Sequence, residues 1–172
     1  MTDTERTAFE VVRRREAGKD GGEPDGGLFA IEESLGYLMN YAARAFSREL
    51  SPRLAAHGAR MGQWAVLMFL WAQDGQTQRE LSREVAIEDA TMVRTLDRME
   101  RDGLVRRERN PRDRRQINIF LTEKGWALRD TLVPEAIEGN RSASRRLSED
   151  ERRQLLDLLG RVIGALEEQP RG

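Results

Sequence analysis

The chain has 172 residues, enough for one domain with a tail, and it carries no cysteine and a single histidine, His57. These counts exclude disulfide scaffolds, thiol redox switches, thiolate catalysis, zinc–thiolate sites and His-rich metal sites. The hydrophobic fraction is 38% and the charged fraction 34%, against roughly 45–50% and about 25% in average soluble domains, yet the net charge is only -1; long amphipathic helices around a thin core fit this balance, and a locally basic face does too, but a uniformly basic protein does not.

The chain opens on a polar segment, residues 1–27, that reads as a flexible tail: Gly18 to Gly27 is almost all Gly, charge and Pro. Its first residues, MTDTERTAFEVVRRREAG, lack the apolar stretch of a signal peptide. The longest apolar run, Trp64 to Ala72, is far shorter than the roughly 20 residues of a spanning helix. No membrane partner is expected, and the expected location is cytoplasmic.

From Phe29 the pattern turns helical. Ile31, Leu35, Leu38, Ala42, Phe46 and Leu50 form one apolar stripe, with Pro52 near its end. Met61 to Gln73 is apolar nearly all round, so that helix is buried on most sides, and Asp74-Gly75 stops it. Thr77-Gln78-Arg79-Glu80 is a capping box opening a short helix with Leu81 and Val85 inward. After a break at Ile87-Glu88-Asp89, another helix runs to Gly103, placed for a left-handed C-terminal cap.

The period then changes. Leu104 to Arg109 leads into the turn-rich Asn110-Pro111-Arg112-Asp113, and Ile117, Ile119 and Leu121 alternate with Asn118 and Phe120 as a half-buried strand, so a hairpin is expected. Thr122 caps a further helix containing Trp126, Leu132, Val133 and Ile137, which Pro134 should bend. Ser148-Glu149-Asp150-Glu151 is a second capping box, and the last helix carries Leu155, Leu156, Leu159, Val162, Ile163 and Leu166. The fold class is mainly α with a small β-hairpin: a winged helix-turn-helix over 61–121, flanked by helical segments 28–54 and 122–168.

On the helix before Gly103, Met92, Leu96 and Met99 share one side, and Thr91, Arg94, Thr95 and Arg98 the other. A guanidinium takes guanine O6 and N7 bidentately; threonine meets phosphates, base edges or the thymine methyl. Alone, such a face is equally a solvated one. The adjacent hairpin shifts the balance: Arg106, Arg107, Arg109, Arg112, Arg114 and Arg115 stand against only Glu108 and Asp113, a local charge of +4. An arginine-rich loop suits the negative potential of a minor groove. Asp113 fits as a brace that pairs with Arg115.

The stretch VRTLDRMERDGLVRRERNPRDRRQINIFLTEKG, Val93 to Gly125, resembles the core of the multiple-antibiotic-resistance regulator (MarR) family. Its markers are Asp113-x-Arg115-x-x-x-Ile119 and the Leu-Thr-Glu-Lys-Gly junction, and the likeness extends over roughly residues 29–168. The resemblance implies that Thr77–Val85 supports and Thr91–Asp102 is the recognition helix. It implies that Arg94 contacts the major groove and that Arg114 or Arg115 enters the minor groove; the helix face and the hairpin themselves add Thr91, Thr95, Arg98, Arg112 and Asp113 to the DNA-binding set. It also implies a symmetric homodimer on a pseudo-palindromic operator of double-stranded DNA, usually a repressor released by a small effector. Effectors of the family are often phenolic or aromatic carboxylates or their coenzyme A thioesters. The N-terminal tail departs from the minimal family pattern.

Dimerisation also has a direct argument, because the apolar residues of the last helix cover more than one face and each buried aliphatic side chain contributes about 1.5–3 kcal/mol. An intramolecular helical pair is the competing expectation. For an effector, Tyr37, Tyr41, Arg44, Arg48, Arg60 and Trp64 are the candidate contacts, with Phe46, Phe69, Trp71 and Trp126 as further aromatic candidates for a pocket or for plain core. No nucleophile–base pair, metal cluster or phosphate loop is visible, so no enzyme and no cofactor are expected. The alternative function is a winged-helix protein-interaction module without DNA binding, which would need no arginines at its wing. The sequence does not separate repressor from activator.

Overall fold

Among the residues described by the computed structural model, 34–111 and 113–168, six helices and three strands follow one another. They are α1 (Leu35–Ala56), α2 (Met61–Ala72), β1 (Gln76–Thr77), α3 (Gln78–Glu84), α4 (Asp89–Arg101), β2 (Val105–Arg109), β3 (Ile117–Leu121), α5 (Glu123–Ser144) and α6 (Glu149–Glu167). The tail assigned to residues 1–27, Ile31 and Arg112 lie outside the described residues. The chain divides into one unit ending at Ser47 and another beginning at Arg48. In the first, the Ser34 hydroxyl accepts from the Tyr37 amide at 3.3 Å, and Tyr37 stacks on Tyr41 with ring centroids 6.1 Å apart.

The second unit holds the core. Leu54, Val66, Leu67, Leu70, Leu81, Met92, Leu96, Met99, Ile119 and Leu132 have no solvent contact. They come from α1, α2, α3, α4, β3 and α5, so the apolar α2 is the central element, as its composition requires. Both expected capping boxes form. The Thr77 hydroxyl accepts from the Glu80 amide while the Glu80 carboxylate accepts from the Thr77 amide, and Ser148 and Glu151 repeat the arrangement. Gly103 follows α4 with φ +71, which glycine adopts without the Cβ clash that disfavours other residues there.

The expected hairpin forms, and a third strand joins it. The sheet order is β1-β3-β2, antiparallel throughout, with Val105 opposite Leu121, Arg109 opposite Ile117, and Gln76 opposite Ile119. Pro134 does not end α5, which is helical from Glu123 to Ser144.

The junction Thr122-Glu123-Lys124-Gly125 fastens the start of α5 to α2 and to the turn after α4. The Thr122 hydroxyl accepts from the Gly125 amide at 3.1 Å and donates to the Gly103 carbonyl at 2.6 Å. Lys124 donates to the Asp102 carbonyl, and the Gly125 carbonyl accepts from the Trp71 indole at 3.1 Å. A Cβ on Gly125 would lie 2.2 Å from the Leu104 carbonyl oxygen, so the approach is closed to any larger residue. No residue of α6 is buried; Leu155, Leu156, Leu158, Ile163 and Leu166 are all exposed.

Candidate nucleic-acid interface

Helix α4 turns Met92, Leu96 and Met99 into the core, so its other side is committed to solvent. That side carries the four residues expected from the periodicity: Arg94 and Arg98 are exposed, Thr91 and Thr95 half-buried. The Thr95 hydroxyl donates to the Thr91 carbonyl at 3.0 Å, which turns its donor inward and leaves an oxygen acceptor and a methyl group. The Arg94 guanidinium reaches back to the Thr91 hydroxyl at 3.5 Å.

The wing is built around Asp113. Its carboxylate accepts from the Arg115 backbone amide at 3.1 Å and from the Arg115 guanidinium at 3.1 and 3.3 Å. It also accepts from the Gln116 side chain at 3.2 Å, while the Asp113 amide donates to the Asn110 side chain at 3.1 Å. The loop is closed at its base by the Asn110 amide on the Gln116 carbonyl, and Asn118 ties β3 to the Gly75 carbonyl. The Arg115 guanidinium, followed by the Arg115 amide, holds the Asp113 carboxyl below its ordinary range. The expected brace is therefore present, and it leaves the Arg115 side chain 91% exposed.

The arginines of the hairpin divide into two sets. Arg106 pairs with Glu108 and lies over the Phe120 ring, 4.8 Å from its centroid. Arg107 pairs with Asp97 and Glu100 of α4, both at 2.7 Å, and its side chain is only 19% exposed. These two are therefore engaged within the protein, and the outward set among the described residues is Arg109, Arg114 and Arg115. Reading the hairpin as a sum of charges misses the role of Arg107. The signal was available in Asp97 and Glu100, two carboxylates three residues apart on one helix face.

Of the residues expected to meet an effector, Tyr37 and Tyr41 are half-buried and stacked, and Arg44 and Arg48 are exposed. Arg60 precedes α2 and is exposed, with its amide donating to Gln63 at 3.0 Å. Trp64 is 7% exposed and meets Trp71 edge-on at 5.8 Å, so both indoles are packed in the core. His57 lies 3.4 Å from Glu135, which also takes Arg53 at 3.4 Å. Among the described residues no group of three acidic, histidine or cysteine side chains is placed to hold a metal ion, and no helix is long and apolar enough to cross a membrane.

Comparison with known proteins places these features in a family. The MarR family profile matches residues 60–117, which span α2 to the start of β3. The chain is 33% identical over 139 residues to the HTH-type transcriptional regulator MgrA of Staphylococcus aureus, covering 80% of this chain and 93% of that protein. It is 34% identical over 132 residues to the HTH-type transcriptional regulator TtmR of Methylorubrum extorquens, covering 76% of this chain and 66% of that one. Among solved structures, a mutant MarR from E. coli complexed with operator DNA superposes with a TM-score of 0.73 at 26% identity, covering 80% of this chain and 99% of that one. The PcaV regulator of Streptomyces coelicolor, in complex with its natural ligand, superposes with a TM-score of 0.74 at 25% identity over 81% and 99%. Helix order, wing and relatives agree: the chain belongs to the MarR family of winged helix-turn-helix, DNA-binding transcriptional regulators.

Proposed function

We propose that the protein is a homodimeric repressor of a pseudo-palindromic operator, released by a small aromatic or phenolic effector or its coenzyme A thioester. The observation that carries the reading is the exposed Thr91, Arg94, Thr95 and Arg98 face of α4, beside a wing whose Arg114 and Arg115 point outward from a loop braced by Asp113. In this proposal α4 enters the major groove, where Arg94 and Arg98 take base edges or phosphates. The wing, including Arg112, enters the minor groove. A protein-interaction module has no use for such a wing. The expected setting is the cytoplasm, where the operator DNA lies.

The dimer is supported by α6. Leu156, Ile163 and Leu166 are each more than half exposed, an apolar surface that a second copy would cover. The segments 28–54 and 122–168 are proposed to supply the interface. For the effector, the stacked Tyr37 and Tyr41 rings offer aromatic surface, and Arg44, Arg48 and Arg60 offer exposed cations for a carboxylate. Trp64 offers at most an edge, since its indole is packed. That the PcaV relative was solved in complex with its natural ligand supports a ligand-responsive reading.

The test is to sequence the fragments of its own genome that the full chain retains, and to footprint them. Two half-sites related by a two-fold axis and about 10 base pairs apart are expected. Aromatic and phenolic carboxylates, or their coenzyme A thioesters, added to the retained complex should then release it. A single asymmetric footprint would refute the dimeric reading, and release by none of these compounds would refute the proposed effector class.

A further inference from the structure

Three polar side chains are buried among the described residues: Gln63, Gln76 and Ser82. Gln76 donates to the Phe69 and Gln73 carbonyls just before it in the chain, at 3.3 and 3.2 Å, so its contacts stay local. Gln63 reaches further. It stands in the first turn of α2 and is 2% exposed. Its carboxamide oxygen accepts from the Arg60 amide at 3.0 Å, and its nitrogen donates to the Asp102 carboxylate, 39 positions away, at 2.8 Å. A backbone N–H on one side needs an acceptor and a carboxylate on the other needs a donor; among neutral side chains of this length only a carboxamide offers both.

Asp102 is the C-cap of α4, and its amide donates to the Arg98 carbonyl at 2.8 Å, closing the turn that carries Arg98. The end of α4 is therefore tied to α2 through Gln63 as well as to α5 through Lys124. The core contacts of Met92, Leu96 and Met99 are apolar and non-directional. The Gln63–Asp102 bond is directional, so it fixes position along and about the helix axis.

We propose that Gln63 is a positioning residue for sequence reading: through Asp102 it sets the rotation and axial position at which α4 presents Arg94 and Arg98. The proposal rests on the reading of α4 as the helix that meets base edges and extends it to a buried residue of a different helix. Hydrogen bonds to base edges weaken steeply when misaligned, whereas phosphate contacts carry no sequence information. Loss of Gln63 should therefore act on the preference between sequences. A merely structural role would lower the folded fraction and weaken binding to every duplex alike, leaving the preference unmoved.

The experiment measures the affinities of the full chain for the retained genomic fragment and for a random-sequence duplex at one fixed salt concentration, with the melting temperature of each variant. Gln63→Leu, which nearly keeps the volume and removes both hydrogen bonds, should lower the ratio of the two affinities about tenfold, the discrimination carried by one well-formed base contact. Asp102→Ala breaks the same bond from its exposed end and should lower the ratio similarly, which keeps the test open if Gln63→Leu unfolds. Gln63→Glu sets two carboxylates against each other and should lower it too. Gln63→Glu with Asp102→Asn exchanges the roles, so that position 63 accepts from both the Arg60 amide and position 102, and the ratio should return. An unchanged ratio in a folded Gln63→Leu or in Asp102→Ala, or a folded exchange variant that does not restore it, overturns the positioning role while leaving the DNA-binding reading intact. An unsubstituted protein with no preference for the retained fragment overturns both.

Discussion

Arg107 of β2 pairs with Asp97 of α4 at 2.7 Å, and its second terminal nitrogen reaches Glu100 at the same distance. One side chain thereby fixes α4 to the wing sheet and offsets one of the two negative charges of Asp97 and Glu100. Arg107→Ala is expected to destabilise the fold by about 1–2 kcal/mol, more than an exposed pair and less than a buried one. It should weaken DNA binding by about tenfold or more, worth 1.4 kcal/mol or above, because the helix loosens and the freed carboxylates repel phosphate. Urea unfolding and duplex titration of the same variant check the two effects separately.

Asp113→Ala removes a negative charge from a basic wing, so simple electrostatics calls for tighter DNA binding. The brace calls for the opposite: Arg115 loses both guanidinium contacts and its amide partner, and affinity should fall with little change in melting temperature. Because the folded-state carboxyl is held below its ordinary value, the brace is complete above the usual carboxylate range and is lost as pH falls through the lowered value. The affinity difference between the protein and Asp113→Ala should therefore stay constant from about pH 8 to 5 and vanish only in stronger acid, below about 3.9. A gain in affinity on substitution would make Asp113 a mere surface charge.

Gly125→Ala places a methyl group 2.2 Å from the Leu104 carbonyl oxygen and 3.0 Å from Leu121. The contact is with backbone, so relief requires α5 to shift away from the sheet. A loss of about 1–3 kcal/mol, or more if the Trp71 bond to Gly125 also breaks, is expected in thermal or urea unfolding.

Leu156→Glu with Ile163→Glu places charge on two exposed positions of α6. In an isolated chain both are surface changes, worth less than about 0.5 kcal/mol each. In a dimer they desolvate charge at the interface, so sedimentation should show monomers and operator binding should collapse. An unaltered sedimentation profile would place the interface elsewhere.

Local signals in the sequence carried far. The capping boxes at Thr77 and Ser148, the left-handed Gly103, the two faces of α4 and the Asp113 brace each depend on residues within a few positions of one another, and each is found as expected. Features set by distant partners were not legible. β1 is two residues long, too short to show a period, and exists because Gln76 and Thr77 meet β3 more than forty positions away. Arg107 looks like one wing charge among several until Asp97 and Glu100 are placed beside it. Ala86, with φ +56, ends α3 where glycine is the usual residue, so nothing in its identity announces the left-handed turn. In the candidate effector set, Trp64 belongs to the core because it packs on Trp71, a contact one apolar helix cannot distinguish from a pocket wall by spacing alone.

The exposed arginine face of α4 is proposed to read base edges. The direct measurement is the ratio of affinities for the retained genomic fragment and a random-sequence duplex, with and without Arg94→Ala, at one fixed salt concentration. Arg94→Ala should cost about 1–3 kcal/mol on the retained fragment and much less on the random duplex, so that the ratio drops by roughly one to two orders of magnitude. An unchanged ratio, with binding to both duplexes equal before and after the substitution, would contradict it.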